Sequence, residues 1–349
     1  MKFHVVAFPH TVTNKAYCHC AYTQKTLNFC KMMTSLGHTV FHYGTEGSTV
    51  EAEHVTIITE NQRQAWFPRE DGYPEITCDI TEPYWNFSNN RAIQEIEKRI
   101  EPKDFICLIN YAQRPIAAAF PGHRSVEYGI GYSMGTFAKY RVFESDAWRK
   151  HIQQEGGRVE PYDAVIPNYF DPADFPFSEQ KDDYFLFVGR MIENKGIIEA
   201  ARACHAAGAK LIMAGRSACN QYQIDRVHNG LCTLRNVEQI GSIGVQRRGE
   251  LMSRARALFV LTKYLPPFEG VSIEAMLCGT PVITSNHGCF LETIVPGVGF
   301  RADPESQPEI RKAMDAVASL DPHFIRDYAV KNFSLDVVRH RYQAYFNGL

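Results

Sequence analysis

Apolar and polar positions alternate along this chain in a repeating strand–helix rhythm. Residues 2–8 form a short apolar, β-rich run. Residues 22–36 show helical spacing and stop at Gly37, and residues 39–43 form a second apolar run. Residues 91–100 predict an amphipathic helix, 105–110 a buried strand, 125–130 and 140–145 two more strands, and 164–167 a short strand leading into Asn168. Residues 168–183 break the rhythm with two prolines and many charges, and predict an interdomain linker. The rhythm then restarts. Strands are expected at 184–188, 210–214, 257–261 and 281–284, and helices at 196–207, 246–254, 271–278, 308–319 and 335–347. This is the βαβ order of parallel sheets, and it predicts two doubly wound α/β domains facing each other across a cleft. In such sheets ligands bind outside the carboxyl ends of the strands.

Length and composition narrow the class. A chain of 349 residues exceeds one ordinary core, which agrees with two domains. Apolar residues at 45% and charged residues at 22% are the balance of a globular protein. The net charge of −2 argues against a dedicated nucleic-acid binder, although a local basic patch is compatible with it. Such a patch is suggested by Arg247, Arg248, Arg254 and Arg256, whose default reading is a solvated helical face. Ten cysteines, several inside apolar runs, fit reduced thiols in a cytoplasmic setting. The run at 1–8 reads as a strand and lacks the long apolar core of a secretory signal. No apolar run reaches the length of a membrane span, and peripheral membrane contact stays open. Cys18-His19-Cys20 has metal-like chemistry, but no second pair has zinc-site spacing, so no metal is expected.

Two segments carry the candidate chemistry. In residues 185–196, Phe-Leu-Phe-Val-Gly-Arg-Met-Ile-Glu-Asn-Lys-Gly, a strand ends at Gly189, Arg190 follows, and Lys195 precedes a helix opening at Gly196. Arg190 can fork onto two phosphate oxygens, and Lys195 supplies a mobile point charge. In residues 264–294, a glycine-containing turn with Glu269, Gly270 and Val271 enters a short helix that holds Glu274. A helix start presents N–H groups to an anion, and a nearby carboxylate can accept hydrogen bonds from paired sugar hydroxyls.

Together these segments resemble the nucleotide-sugar-binding signature of the family 4 (group 1) retaining glycosyltransferases. Residues 165–172, 210–216 and 237–244 resemble further family segments, and from 1 to 150 the likeness is mostly architectural. The resemblance implies the GT-B fold, with an amino-side acceptor domain at 1–170 joined by a returning helix at 335–349, and a nucleotide-sugar domain at 171–334. It implies transfer of a hexose or pentose from a nucleoside-diphosphate sugar to an acceptor hydroxyl, with retention. Arg190, Lys195 and Glu274 would be catalytic. Gly189, Glu269, Gly270, Val271, Arg216 and Ile243 would contact the donor. No cofactor or essential metal is implied. A glycan, a lipid-linked sugar, a metabolite, a protein or a modified nucleobase remain as acceptors. The same architecture also serves nucleotide-sugar 2-epimerases and non-catalytic nucleotide-sugar binders.

Two departures from the family pattern matter. The signature usually has two glutamates separated by seven residues; with Glu274 as the second, the first position here is Pro266. Glu269 stands where a glycine is usual, which displaces the acidic group by three residues and puts the donor sugar in doubt. The turn after the first strand lacks the usual glycines and reads Pro-His-Thr-Val-Thr-Asn-Lys over 9–15. His10, Thr11 and Asn14 are its acceptor-side candidates. His123 and Tyr132, in the glycine-rich segment 121–135, are two more; Glu127 in the same segment is compatible equally with a structural pairing with Arg124 or Arg141.

Overall fold

The computed structural model describes residues 1–17, 20–68, 76–132, 135–217 and 220–349. The chain divides into two compact units. The first comprises 1–144, 149–169 and 338–349, and the second comprises 145–148 and 170–337.

In the first unit, β1 (Lys2–Val6), β2 (Thr39–Thr45), β3 (Glu53–Ile58), β4 (Phe105–Leu108), β5 (Arg124–Ile130), β6 (Tyr140–Phe143) and β7 (Asp163–Val165) form one sheet. Its order is β3-β2-β1-β4-β5-β6-β7, and the pairs are parallel. Val6, Tyr43, Val55, Ile57, Ile106 and Leu108 build a core on one face. The chain's last helix, Leu335–Asn347, contributes Tyr342 and Phe346 to this unit. The Tyr342 hydroxyl donates to the Tyr128 carbonyl at 2.6 Å, and the Phe346 ring lies 4.7 Å from that of Phe3.

In the second unit, β8 (Phe185–Val188), β9 (Leu211–Ala214), β10 (Val237–Gly241), β11 (Leu258–Val260), β12 (Val282–Ser285) and β13 (Gly299–Ala302) form a sheet of order β10-β9-β8-β11-β12-β13. These pairs are parallel too. Phe185 and Phe187 enter one core layer while Leu186 enters the other, and Phe259 lies opposite Leu258 and Val260 in the same way. Both faces are covered, so these strands read as continuous apolar runs. Each large side chain so buried contributes about 1.5–3 kcal/mol.

Residues 168–183 contain the passage from the first unit to the second, between Tyr169 and Phe170. Phe170 and Phe175 tie this stretch to the second unit: Phe175 is part of that unit's core, and Phe170 exchanges backbone bonds with Phe333 and Leu335 at 2.9 Å each, while Glu179, Gln180, Asp182 and Asp183 are exposed. The aromatic side chains spaced through this proline-rich stretch hold it down.

Glu127 forms an ion pair with neither Arg124 nor Arg141 among the described contacts. Its carboxylate accepts from the Tyr132 hydroxyl and from the Phe137 and Ala138 N–H groups at 3.0 and 2.9 Å. Arg141 pairs instead with Asp163. Burial pushes the Glu127 carboxyl up to about 7, against the lowering effect of those bonds. The folded value lies above the unfolded one of about 4.3, so the native state holds an extra proton between them. Stability is therefore lost as pH rises through about 4 to 7, by on the order of 2–3 kcal/mol. Glu127→Gln keeps an acceptor for the two N–H groups and has no charge to bury. Urea unfolding at pH 5 and pH 8 is expected to show the variant gaining about 2 kcal/mol on wild type at the higher pH; equal curves would contradict this.

Candidate functional site

The strand order of the second unit reverses at β8. The chain moves outward through β9 and β10, then returns to place β11 on the other side of β8. The carboxyl ends of β8 and β11 thus flank a topological switch point, where α/β sheets bind ligands. The two sequence segments singled out above leave from these two ends.

Glycines let the backbone converge there. Gly215, just past β9, has φ 150°, and a Cβ on it would lie 1.7 Å from the Gly189 carbonyl oxygen. The strand pairing therefore continues into the loops: Gly189 N–H bonds Ala214 O at 2.9 Å and Met191 N–H bonds Arg216 O at 2.8 Å. Gly196 has φ 71° and caps the helix Ile197–Ala207. A Cβ there would stand 2.0 Å from the Leu261 carbonyl oxygen. Only glycine permits that approach without strain. The Lys263 N–H to Asn194 carbonyl bond at 2.9 Å then joins the two loops.

This convergence brings Lys195 onto Glu269. Its Nζ lies 2.7 and 3.0 Å from the two carboxylate oxygens, with the side chains 18% and 9% exposed. The Tyr264 hydroxyl donates to the same carboxylate, and Lys195 Nζ sits 5.0 Å from the Tyr264 ring centre. Burial, then Glu269, pushes the Tyr264 phenol well above its usual range. Arg190 is exposed, and its charge acts on the Tyr264 phenol in the opposite sense. Arg190, Lys195, Tyr264 and Glu269 therefore form one neighbourhood. The sequence carries no separate signal for Tyr264; its place beside the basic residues depends on the approach of Gly196 to Leu261, which are far apart in the chain.

Glu269 is also the N-cap of the helix Gly270–Leu277. Its carbonyl accepts from Ser272 N–H and Oγ at 3.0 and 2.6 Å, which fixes the helix start. The first N–H groups of a helix, here those of Gly270 and Val271, have no intrahelical acceptor. Ile273, Ala275, Met276 and Leu277 anchor the helix in the core. Glu274 lies against Arg248, whose Nε is 3.3 Å from its Oε2. That approach is an ion pair without hydrogen-bond geometry, and the buried Oε2 accepts no hydrogen bond from the described residues. Arg248 is 12% exposed, which corrects its reading as a solvated helical face. Arg247, Arg254 and Arg256 pair with Glu250, Asp182 and Asp183 respectively.

The other donor-side candidates share this edge of the sheet. Arg216 follows β9 and is half-buried. Ile243 follows β10 and packs on the core. Pro266 is seated on Gly288, where a Cβ would come within 2.5 Å of its ring.

The acceptor-side candidates in the first unit separate. His10, beyond the carboxyl end of β1, is 4% exposed, and burial pushes its imidazole down to about 3. Its Nε2 lies 3.4 Å from Cys20 Sγ, and its Nδ1 bonds nothing among the described residues. Thr11 is bonded to Thr23 at 2.5 Å. Asn14 Oδ1 accepts from Ala16 and Tyr17 N–H at 2.9 and 3.4 Å, anchoring its own loop. Tyr132 is buried against Glu127. His123 requires correction: it precedes β5, at the amino edge of an all-parallel sheet, whereas His10 and Tyr132 follow strands at the carboxyl edge. The Phe120 turn holds it there, through a 3.0 Å backbone bond and a ring contact at 6.0 Å. Cys18 and His19 lie outside the described residues.

Comparison with known proteins gives a consistent picture. Residues 172–329 match the family model described as glycosyl transferases group 1. The chain is 31% identical over 163 residues to a glycogen synthase of Mycobacterium tuberculosis, covering 44% of this chain and 39% of that protein. It is 32% identical over 164 residues to an uncharacterized glycosyltransferase of Methanocaldococcus jannaschii, covering 46% and 41%. The matched region thus spans about two fifths of these relatives. Among solved structures, AviGT4, a glycosyltransferase involved in avilamycin A biosynthesis, aligns with a TM-score of 0.70 at 22% identity, covering 99% of this chain and 97% of that one. Anabaena HepE in complex with UDP and glucose aligns at 0.70 and 14% identity, covering 100% of both. These structural likenesses show the fold, which is GT-B.

Proposed function

We propose that this chain, whose residues 172–329 form a group 1 glycosyl transferase domain, transfers a sugar from a nucleoside diphosphate to an acceptor hydroxyl with retention of configuration. The observation that carries the reading is the convergence of Arg190, Lys195 and the start of the helix Gly270–Leu277 at the switch point of the six-stranded sheet. Two cations and a helix tip suit a diphosphate leaving group. The presence of UDP with a fold relative agrees with such a donor.

In this reading the bond from the anomeric carbon to the phosphate oxygen breaks, and its electron pair passes to the phosphate. The acceptor oxygen bonds the anomeric carbon on the same face, and its proton goes to the leaving phosphate. Arg190 and Lys195 hold the charge that develops there, which stabilises the transition state more than the ground state. Glu274, with an oxygen that accepts no hydrogen bond among the described residues, would take the nucleotide ribose hydroxyls. Of the acceptor-side candidates, His10 keeps an Nδ1 that bonds nothing among the described residues, and burial pushes its imidazole down to about 3, so at neutral pH it would carry no charge.

A thermal-shift screen of nucleoside-diphosphate sugars, followed by mass spectrometry of acceptor pools with the stabilising donor, tests the reading. The expected result is a sugar-mass increment on an acceptor. An altered nucleotide sugar formed without any acceptor would indicate an isomerase instead.

A further inference from the structure

Lys195 is already neutralised within its own unit. Both Glu269 oxygens lie within 3.0 Å of its Nζ, and the pair is largely screened from water at 18% and 9% exposure. Tyr264 adds a third contact to the same carboxylate. The Glu269 backbone cannot withdraw easily, because its carbonyl is pinned by two donors of Ser272. Only the side chain is free to turn.

We propose that Glu269 is a competitive gate on this cation: a diphosphate reaches Lys195 only by displacing the Glu269 carboxylate. The inference rests on the donor-site reading given above and adds a specificity element to it. Glu269 is the N-cap residue of the helix Gly270–Leu277, but its carboxylate bonds none of the helix's own N–H groups and stands on Lys195, so an anion at the helix start must compete with it for that cation. Diphosphate binding is thereby weakened. Ligands with further contacts, such as those a complete nucleotide sugar makes, can offset that cost, whereas a bare diphosphate cannot. The gate thus discriminates donor from the nucleoside diphosphate left after transfer.

Glu269→Gln tests this directly. It is isosteric, keeps a partner for Tyr264, and removes the charge. Isothermal titration of the full chain with UDP, GDP, ADP and inorganic pyrophosphate, at one fixed salt concentration, is the measurement. At least one of these probes is expected to bind the variant about tenfold more tightly than wild type. In a Lys195→Met background the same substitution is expected to change affinity less than about twofold. A merely structural role for Glu269 predicts the opposite sign, since a disturbed loop binds less tightly. Glu269→Ala, expected to tighten binding as well, serves if the glutamine variant does not melt cooperatively. Unchanged or weaker binding by a variant, where wild type binds measurably, overturns the gate alone. Failure of every probe to bind wild type and variants alike overturns both the gate and the donor site.

Discussion

Replacing Lys195 by alanine is expected to lower the rate of sugar transfer by about 10²–10³-fold, with kcat and kcat/KM falling together. Lys195 is 18% exposed and sits where the β8 and β11 loops meet, so its charge acts in a partly water-excluded setting. In the proposed reaction bond breaking adds negative charge to the phosphate, and a cation placed beforehand would stabilise that added charge more than the bound donor. A rise in KM alone would place Lys195 in uniform donor binding and outside the chemical step. Lys195→Arg is expected to rescue poorly, because a planar fork does not reproduce a compact ammonium between Glu269 and the Tyr264 ring. Alanine also leaves Glu269 with Tyr264 as its remaining side-chain partner among the contacts described above, so rates are read only on samples that melt cooperatively. Stopped-time assays with the donor identified by screening measure the effect.

The largest effect on stability is expected from Arg141→Ala, a loss of about 3–5 kcal/mol. Arg141 is fully buried. Its Nε and one terminal nitrogen bond the two Asp163 oxygens at 2.7 Å each. The other terminal nitrogen bonds Thr136 Oγ1 at 2.8 Å, and the Arg158 carbonyl completes the set at 2.7 Å. Arg141 and Asp163 are register partners on β6 and β7, so the pair clamps the three-residue edge strand to its sheet. Removing the guanidinium leaves a buried carboxylate uncompensated, which costs more than the pair itself contributes. Replacing both partners, as in Arg141→Met with Asp163→Leu, is expected to recover most of the loss. Urea unfolding, with hydrogen exchange at β6 and β7 to read the first unit separately, measures both. A loss below about 1 kcal/mol for the single variant would contradict the clamp.

The fold was legible where strands are buried on both faces. Runs such as Phe-Leu-Phe-Val at 185–188 and Leu-Phe-Val at 258–260 have no polar interruption, and the structure places strands there. Edge and amphipathic elements were less visible. β3 carries Glu53 and His54 in its first residues, and β13 is short with Arg301 within it. The helices Asp146–Gln154 and Gln221–Leu231 are strongly polar, so tertiary packing rather than apolar content reveals them. The helix expected at 91–100 begins at Pro83, because the proline at its first turn is a start signal rather than a break.

For the candidate site, Arg190, Lys195 and Glu274 stand out through the resemblance of their segments to the family signature, which their charges and neighbouring glycines support. Their partners do not. Lys195 and Glu269 are 74 residues apart, and Glu274 finds Arg248 on a neighbouring helix. Such pairings depend on which strand ends adjoin in the sheet, and that order is a tertiary property. His123 shows the converse: its residue type suited a site, but its position before β5 puts it at the amino edge of the sheet.

A crystal structure of the chain with the nucleoside-diphosphate sugar that most raises its melting temperature would test the central claim most directly. The account predicts the diphosphate at the carboxyl edge of the six-stranded sheet, within hydrogen-bonding distance of Lys195 Nζ and the Gly270 or Val271 N–H, with Arg190 on its outer side and the ribose against Glu274. A diphosphate bound elsewhere, with the Lys195–Glu269 pair intact, would contradict it.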